Sequence, residues 1–476
     1  MESMKLHMLP MEILIMIHQH LTLKELKAFS LCHHLLRAIS ERRIFEKIIV
    51  SWDPAEEQSS AILLLDRILE RPELATYVHR LRLKGGNSLA PIHYEVPNGT
   101  LVKAIEAIMA TRMPDSEFWV QKLQVGSMDA VATLLLALLP NLTRVYFQNP
   151  FCLSNKVLPK MLTHALSESA HDYQLPDFRK LIQVAFGCQV GTDAIRDDEG
   201  TTNRVKNLLP LFGLPSLERL YISIPGNTWA WPGVPPTYSS LTSFHVVQSQ
   251  PRVIETLLAT MPSLKTFFWE WVHKHRWTRG PNLNDAGRAL ASVSDQLTDL
   301  GISLQYDYSD IPAEFGVAVH NIGSLNTLRT MNNLTTLSLP WIFLMGNTNE
   351  YGPQFQSRIW SKLPERLEIL NMSPDVETFM LSFSWTSSEA IRIMMQELEA
   401  RRDRSLMQQL AKIKIPVPFE ETSWTELIEE CEEWNVPYIT RSYAELSDTF
   451  GLQVLGREPC DASPNDFVYY VESGIF

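Results

Sequence analysis

Residues that could support catalysis are few in this chain of 476 residues. Its histidine clusters, His33-His34 and His273-Lys274-His275, have no nearby set of cysteines or carboxylates to complete a metal site, so we interpret them as solvated residues. The sequence also lacks a Gly-x-Ser-x-Gly elbow, a His-Glu-x-x-His pair, a phosphate-binding Gly-rich loop and a dinucleotide fingerprint. We therefore predict that the protein uses neither a metal nor a cofactor, and its residues indicate no familiar catalytic site.

The composition indicates a folded protein of a reducing compartment. Hydrophobic residues make up 45% of the chain and charged residues 20%, as in ordinary globular proteins. The five cysteines are odd in number and contain no Cys-x-x-Cys pair, which argues against a disulfide framework. Without a basic leader, or an apolar run of the ~18 residues that a membrane span needs, we expect a cytoplasmic or nuclear protein.

The charge balance is acidic, with a formal net charge of −12. The segment Glu420–Glu433 contributes seven glutamates and no lysine or arginine. A chain of this sign without a broad basic face argues against nucleic acid as the main partner.

Side chains suited to binding a protein are better represented than catalytic ones. Tryptophan, tyrosine and arginine are the usual anchors of protein interfaces, and several follow predicted strands. The residues that we predict to bind a protein substrate are Arg219, Tyr221, Trp229, Trp231, Arg276, Trp277, Tyr306 and Tyr308. For each ring taken singly, the alternative is that it closes the edge of the core.

A recurring pattern of apolar residues predicts the strands that would position these side chains. Each copy has an apolar residue, then two positions, an apolar residue, one position and a third apolar residue; the last two point to one side of a strand. The copies are Val78/Leu81/Leu83, Val120/Leu123/Val125, Leu142/Val145/Phe147, Leu181/Val184/Phe186, Leu217/Leu220/Ile222, Leu241/Phe244/Val246, Leu264/Phe267/Trp269, Leu297/Leu300/Ile302, Leu334/Leu337/Leu339, Leu367/Leu370/Met372 and Leu410/Ile413/Ile415.

Helical segments separate the copies, and the resulting order of helix, proline turn and strand resembles an irregular leucine-rich repeat. The resemblance implies an α/β solenoid over residues 78–416, with a helical cap and tail over residues 417–476. Predicted helices at Ser388–Leu410 and Ser423–Trp434 would cover its last repeat. A doubly wound α/β domain is the alternative for such alternation.

The polar positions between the apolar ones should form the concave face of such a solenoid. This mixture of side chains favours a protein surface over a small-molecule pocket. The positions are Arg144, Tyr146, Arg219, Tyr221, Ser243, His245, Thr266, Phe268, Asp299, Thr336 and Asn371.

The N-terminal residues predict a compact group of short helices. Pro10 suits the first turn of a helix, and Thr22 with Glu25 forms the Thr-x-x-Glu signature of a second helix start. Ile13, Leu14, Ile17 and Leu21 recur at helical spacing and form one apolar stripe. Met11, Ile15 and Met16 are also apolar but lie off this stripe, so the first helix has more apolar surface than so small a unit can bury. That surplus packs either on the rest of the chain or on a partner.

The spacing of the apolar residues and of Cys32 within residues 5–50 resembles that of an F-box. The resemblance implies binding to a Skp-type adaptor of a cullin–RING ubiquitin ligase through Leu9, Pro10, Ile13, Leu14, Ile17, Leu21, Leu26, Leu31, Cys32 and Leu35. His33-His34 departs from the Lys or Arg that many F-boxes carry after the cysteine. Residues 1–50 would then form the F-box and residues 51–77 a helical linker to the first repeat.

The sequence therefore predicts the substrate-recognition subunit of a Skp–cullin–F-box ligase, with the F-box on the adaptor and the repeats on a protein substrate. Two alternatives stay open at this stage. One is a repeat scaffold without a ligase, and the other is an α/β enzyme whose active site has no recognisable motif.

Overall fold

The computed structural model describes most of the chain up to residue 373 and short segments beyond it. The described residues are 6, 9–52, 59–85, 93–148, 151, 155–167, 170–186, 207–226, 229, 231, 235, 237–274, 281–307, 323–345, 359–373, 396–397, 409–415 and 438–441. The predicted helices Ser388–Leu410 and Ser423–Trp434 lie outside them almost entirely, as does the predicted C-terminal tail.

The fold class is α/β, as predicted. Among the described residues twelve strands follow one another in the sheet in chain order, and the sheet is not closed into a barrel. Nine pairs of neighbouring strands have a described register, and all nine are parallel. The described residues divide into two compact units: those up to residue 220 form the first, and those from residue 221 onward form the second.

The first unit combines a helical N-terminus with four parallel strands and the start of a fifth. Its elements are α1 Met11–Gln19, α2 Leu23–Cys32, α3 His34–Ile44, β1 Lys47–Trp52, α4 Ser60–Glu70, a 3-10 helix Pro72–Tyr77, β2 Arg80–Gly85, α5 Asn98–Ala110, α6 Ser116–Gln124, α7 Met128–Leu138, β3 Arg144–Phe147, α8 Val157–Ala165, a 3-10 helix Ala170–Asp172, β4 Gln183–Phe186 and the first residues of β5 Arg219–Gly226. Residues 207–212 are also helical.

The second unit continues the same alternation. Its elements are the rest of β5, β6 Ser243–Ser249, α9 Pro251–Leu258, β7 Thr266–Lys274, α10 Leu283–Leu290, a 3-10 helix Ala291–Val293, β8 Asp299–Asp307, a 3-10 helix Asn326–Thr330, β9 Thr336–Pro340, α11 Trp341–Met345, a 3-10 helix Trp360–Lys362, β10 Ile369–Ser373, β11 Lys412–Ile415 and β12 Tyr438–Arg441. Within the described residues, a short 3-10 helix precedes β9 and another precedes β10.

Ten of the eleven apolar triplets coincide with strands. The last two members of each lie in a strand, and the described ones are buried, from Leu81 and Leu83 in β2 to Leu370 and Met372 in β10. Because these side chains share one side of the sheet, they form the core against the helices. The structure also adds β12, which the pattern did not predict.

The triplet Val120/Leu123/Val125 was wrongly predicted as a strand, because these residues lie in or just after α6. The core residues there are Trp119 and Leu123, four positions apart on one helical face, while Val125 is 57% exposed. The indole Nε1 of Trp119 donates to the carbonyl oxygen of Ala130 at 3.0 Å, which ties α6 to α7.

A buried carboxylate joins two helices of the first unit. Asp129 of α7 accepts hydrogen bonds from the backbone N–H groups of Lys156 and Val157, each at 2.7 Å, and of Leu158 at 3.3 Å. Burial raises the pKa of Asp129, while these three donors favour the ionised form. Asp129 therefore supplies the N-terminal cap that α8 does not have from its own preceding residue.

We expect Asp129→Ala to lower the free energy of unfolding by about 3 kcal/mol, because it leaves buried N–H groups without an acceptor. Urea unfolding followed by circular dichroism measures the change. Asp129→Asn retains one acceptor oxygen and should lose less, and Asp177→Ala, at an exposed carboxylate, should stay within about 0.5 kcal/mol of the parent. Equal losses for Asp129→Ala and Asp177→Ala would contradict the capping role.

Candidate functional site

Helix α1 is nine residues long, and most of its side chains are exposed. Pro10 precedes it as the N-cap residue, one position before the predicted first turn, and its carbonyl accepts from Ile13 and Leu14. Of its nine side chains only Leu14 and His18 are buried. A helix that is apolar on several sides is normally covered on several sides.

Helices α2 and α3 are each fixed at their start by a side-chain cap. The predicted capping box of α2 is confirmed: Thr22 Oγ1 accepts from Glu25 N, and the Glu25 carboxylate accepts from Thr22 N at 2.7 Å. His33 Nδ1 accepts from Leu35 N at 3.2 Å and so caps α3. His33 therefore has a structural role that its sequence position did not reveal.

Exposed large apolar side chains concentrate in this helical group. The described residues include nine such side chains, and six of them lie between residues 6 and 31. Those six are Leu6, Met11, Ile13, Ile15, Met16 and Leu31, with Leu31 74% exposed. Exposed apolar residues gathered in one short segment, rather than scattered singly, mark an interaction surface. We call Met11, Ile13, Ile15, Met16 and Leu31 the apolar helix surface.

The predicted adaptor-binding residues divide into three groups by exposure. Pro10, Ile13, Leu31 and Cys32 are exposed. Leu9, Ile17, Leu21 and Leu35 are half-buried.

The other two, Leu14 and Leu26, are buried within the chain, at 0% and 2% exposure. Both side chains belong to the core on which the helices pack, and their part in adaptor binding stays a prediction. Sequence spacing placed Ile13 with Leu14 on one apolar stripe, but Ile13 is 41% exposed.

His18 is the buried polar residue of α1. It is 5% exposed, its Nε2 has no hydrogen-bond partner, and the guanidinium of Arg43 in α3 donates to its backbone oxygen at 3.1 Å. Burial, and then the nearby charge of Arg43, lower the pKa of His18. The packing of α1 on α3 therefore favours a neutral imidazole.

The depressed pKa of His18 predicts that acid loosens α1. A group with a lowered folded-state pKa contributes stability above its unfolded pKa of about 6.5, and loses it as the pH falls through the folded value. Hydrogen exchange of the α1 amides, corrected for intrinsic rates, should be faster at pH 5.5 than at pH 7.5. His18→Phe should remove this difference and His20→Gln, at an exposed neighbour, should not; unchanged protection of α1 in the parent chain would refute the prediction.

The predicted substrate-binding residues are only partly described. Arg219 is exposed in β5, and Tyr221 is half-buried with its ring 4.4 Å from that of His245. Trp231 is half-buried and contacts Trp229 edge-to-face at 5.2 Å.

Trp229 is only 9% exposed, and its ring belongs to a small aromatic cluster with Trp231 and Tyr238. Its part in substrate binding stays a prediction. Arg276, Trp277 and Tyr308 lie outside the described residues, as does the side chain of Tyr306.

The predicted concave face of the second unit is more buried than the sequence indicated. His245, Phe268, Thr336 and Asn371 are each less than 9% exposed, so they do not form an open surface. His245 Nε2 lies 2.8 Å from Oε1 of Glu270, and both side chains are buried. The alternation of side chains along each strand places these residues on the side of the sheet opposite the core. It does not indicate whether other side chains bury that side.

A large groove lies in the first unit, between α1–α3 and the beginning of the sheet. It has a volume of about 1480 Å³, and its walls include Met11 and Ile15 of α1. Lys47, Arg80, Arg82 and Tyr146 are among the residues of β1, β2 and β3 that line it. A groove larger than the ~300–1,000 Å³ of small-molecule sites suits a polypeptide segment.

Comparisons with known proteins give no match for this chain, either among models of protein families or among curated sequences. Functional conclusions therefore rest on its own residues and geometry. No helix within the described part of the chain combines the length and the apolar character needed to cross a membrane.

Proposed function

We propose that this chain is the substrate-recognition subunit of a Skp–cullin–F-box ubiquitin ligase. On this proposal the N-terminal helices bind a Skp-type adaptor, and the α/β part binds a protein to be ubiquitinated. The chain itself would be non-catalytic, because ubiquitin transfer takes place on other subunits. Such a ligase would operate in the cytoplasm or nucleus.

The apolar helix surface is the observation that carries the proposal. Met16 and Leu31 are 58% and 74% exposed, and Met11, Ile13 and Ile15 of α1 are 45%, 41% and 43% exposed. Covering one such side chain stabilises a complex by roughly 1.5–3 kcal/mol before the costs of association. The F-box resemblance of the same helices, which includes Ile13 and Leu31, supplies the chemistry of the partner, an adaptor with an apolar docking surface.

The strand order supports a repeat array for the substrate-binding part. Successive parallel strands are neighbours in both units, whereas a doubly wound sheet reverses direction at a switch point. We therefore propose the leucine-rich-repeat-like solenoid in preference to the doubly wound alternative. A sheet with twelve described strands offers an extended surface rather than one small active site.

Binding to a purified Skp-type adaptor tests the proposal. We expect the full chain and the adaptor to elute as one complex in size-exclusion chromatography, and to bind with a micromolar or lower Kd by calorimetry. Adding the cullin, the RING subunit and charged ubiquitin-conjugating enzyme should then give ubiquitination that requires the chain. Failure of the intact, folded chain to bind the adaptor at micromolar concentration would exclude the ligase role and favour a scaffold.

A further inference from the structure

Strand β1 has a neighbouring strand on one side only. Among the described residues it stands first in the strand order of the sheet, and it pairs with β2. Residues of a strand alternate in direction, so every second residue points both its N–H and its C=O away from the paired strand. We call this side of β1 the open edge.

A hydrogen bond just before β1 identifies the residues that face β2. The carbonyl oxygen of Glu46 accepts from the N–H of Arg80 in β2 at 3.0 Å. Ile48 and Val50, which lie two and four positions further on, therefore face β2 as well. Ile49 lies between them, so its N–H and C=O groups point to the open edge.

The far end of β1 agrees with this alternation. Ser51 N donates to Ser60 Oγ at 2.6 Å, and the carbonyl oxygen of Ser51 accepts from Ser59 Oγ at 2.9 Å. The main-chain groups of Ser51 therefore point away from β2, two positions after those of Ile49. Serine side chains thus cover the open edge at Ser51, whereas no side chain of the described residues bonds to the main chain of Ile49.

The groove of the first unit lies beside the open edge. Both Ile49 and Ser60 are among its lining residues, together with Met11 and Ile15 of α1, which are 45% and 43% exposed. An extended peptide uses both features at once, because its main chain pairs with a sheet edge while alternate side chains bury against an apolar wall. A small molecule has no comparable use for main-chain groups spaced as in a strand.

His18 adds a polar group to the wall of the groove. It lines the groove, its side chain is 5% exposed, and its Nε2 has no hydrogen-bond partner. Buried polar groups of proteins nearly always have a partner. His18 therefore favours an occupant that offers hydrogen bonds, as the main chain of a peptide does.

We propose that the open edge of β1 binds an extended segment of another protein, which joins the sheet as a further strand. The segment has apolar side chains at alternate positions, because one of its faces meets Met11 and Ile15. A second copy of this chain fits less well, since its own β1 lies in the same kind of groove and two recessed edges cannot meet. The proposal goes beyond the ligase function and does not depend on it, because the main chain of β1 carries it.

Fluorescence anisotropy with labelled peptides tests the open edge in the full chain. The parent peptide has about six residues in which Val alternates with Thr, and two further peptides carry N-methyl groups on every Val or on every Thr. A strand bonds to one neighbour through alternate residues only. One methylated peptide should therefore bind at least about tenfold more weakly than the parent, and the other should stay within about threefold. Equal affinities of the two methylated peptides, or no binding of the parent peptide at about 1 mM, would overturn the proposal.

The variant Ile49→Pro removes the N–H that points to the open edge. Proline is tolerated on an edge strand whose N–H faces away from the sheet, so β1 should stay paired with β2. We expect the variant to bind the parent peptide about tenfold or more weakly. The matched control, Ile49→Thr, keeps the N–H and a branched side chain and should stay within about threefold. Thermal unfolding by circular dichroism establishes that both are folded, and equal affinities of the two would contradict a main-chain contact.

Amide hydrogen exchange at single-residue resolution examines the open edge without a substitution. In the free chain the amide of Ile49 should exchange faster than those of Ile48 and Val50, whose N–H groups face β2. Saturation with the parent peptide should slow exchange at Ile49 by about tenfold or more and leave Val50 unchanged. Two results would refute the proposal: equal protection of Ile49 and its neighbours in the free chain, or a dimer in light scattering that Ile49→Pro abolishes, because a second copy would then occupy the edge.

Discussion

Replacing Ile13 by Asp is expected to weaken adaptor binding by about a hundredfold or more, close to 3 kcal/mol. Ile13 is exposed on α1 while its neighbour Leu14 is buried, so the substitution changes the surface and leaves the helical core intact. A carboxylate placed in an apolar interface loses its hydration without gaining a partner, which accounts for the size of the effect. Met16→Asp and Leu31→Asp should act in the same direction.

The chain offers matched controls for this experiment. Val102 and Met109 of α5 are 57% and 50% exposed, against 41% and 58% for Ile13 and Met16. They are also apolar but lie outside the N-terminal helices. Val102→Asp and Met109→Asp should leave adaptor affinity within about twofold of the parent. Calorimetric titration with the purified adaptor measures all five variants. If Ile13→Asp and Val102→Asp bind equally well, the apolar helix surface is not the docking site.

The sequence predicts the strands well because their signal is periodic and local. Successive side chains of a strand point to opposite faces, so Leu81 and Leu83, two positions apart, face the core together. A strand that buries one face therefore has apolar residues at every second position. The failure at Val120/Leu123/Val125 has the same origin: Trp119 and Leu123 also satisfy helical spacing, and three apolar residues alone do not separate the two periods.

The exposure of individual side chains in the candidate site is harder to predict from the sequence than the helices and strands that carry them. Both Ile13 and Leu14 are apolar and lie on adjacent positions of α1, yet one is exposed and the other is buried. The direction in which α1 packs on α3 decides this, and that direction depends on tertiary contacts such as the one between Arg43 and the backbone of His18. Likewise, Lys47, Arg80 and Arg144 occupy neighbouring positions on β1, β2 and β3. Only the register of the strands brings together these residues, which lie up to almost a hundred positions apart in the sequence.

The residue at which the N-terminal helical segment ends decides which shortened chains should fold. The predicted boundary after residue 50 falls inside β1, which pairs with β2 from Lys47↔Arg80 to Trp52↔Gly85. The backbone of Ser51 is further held by Ser59 and Ser60, through hydrogen bonds of 2.9 and 2.6 Å. In addition, the guanidinium of Arg71 binds both carboxylate oxygens of Glu41 in α3, at 2.7 and 2.9 Å.

A chain that lacks residues 1–50 is therefore expected to lose much of its stability. It loses the buried side chains of Phe45 and Val50, which together contribute about 3–6 kcal/mol. It also leaves β2 as an unprotected edge, which promotes aggregation. Thermal unfolding by circular dichroism and the soluble yield should both fall markedly relative to the intact chain.

A chain that lacks only residues 1–20 should behave differently. It loses α1 with Ile13 and Met16 but keeps the capping box of Thr22 and Glu25, the ion pair of Glu41 and all of β1. We expect it to fold, to lose adaptor binding and to retain substrate binding. In cells it should shield the substrate from ubiquitination, so its overexpression ought to raise the substrate's level.

The comparison of these two shortened chains locates the functional boundary between α1 and α2. Equal stability of both chains would show that β1 is dispensable, contrary to its pairing with β2. A soluble chain without residues 1–20 that still binds the adaptor, or that lowers the substrate as well as the full chain does, would remove α1 from the docking site. Because the shorter deletion keeps every described strand of the sheet, a circular dichroism spectrum close to that of the intact chain reports that the remaining part is still folded.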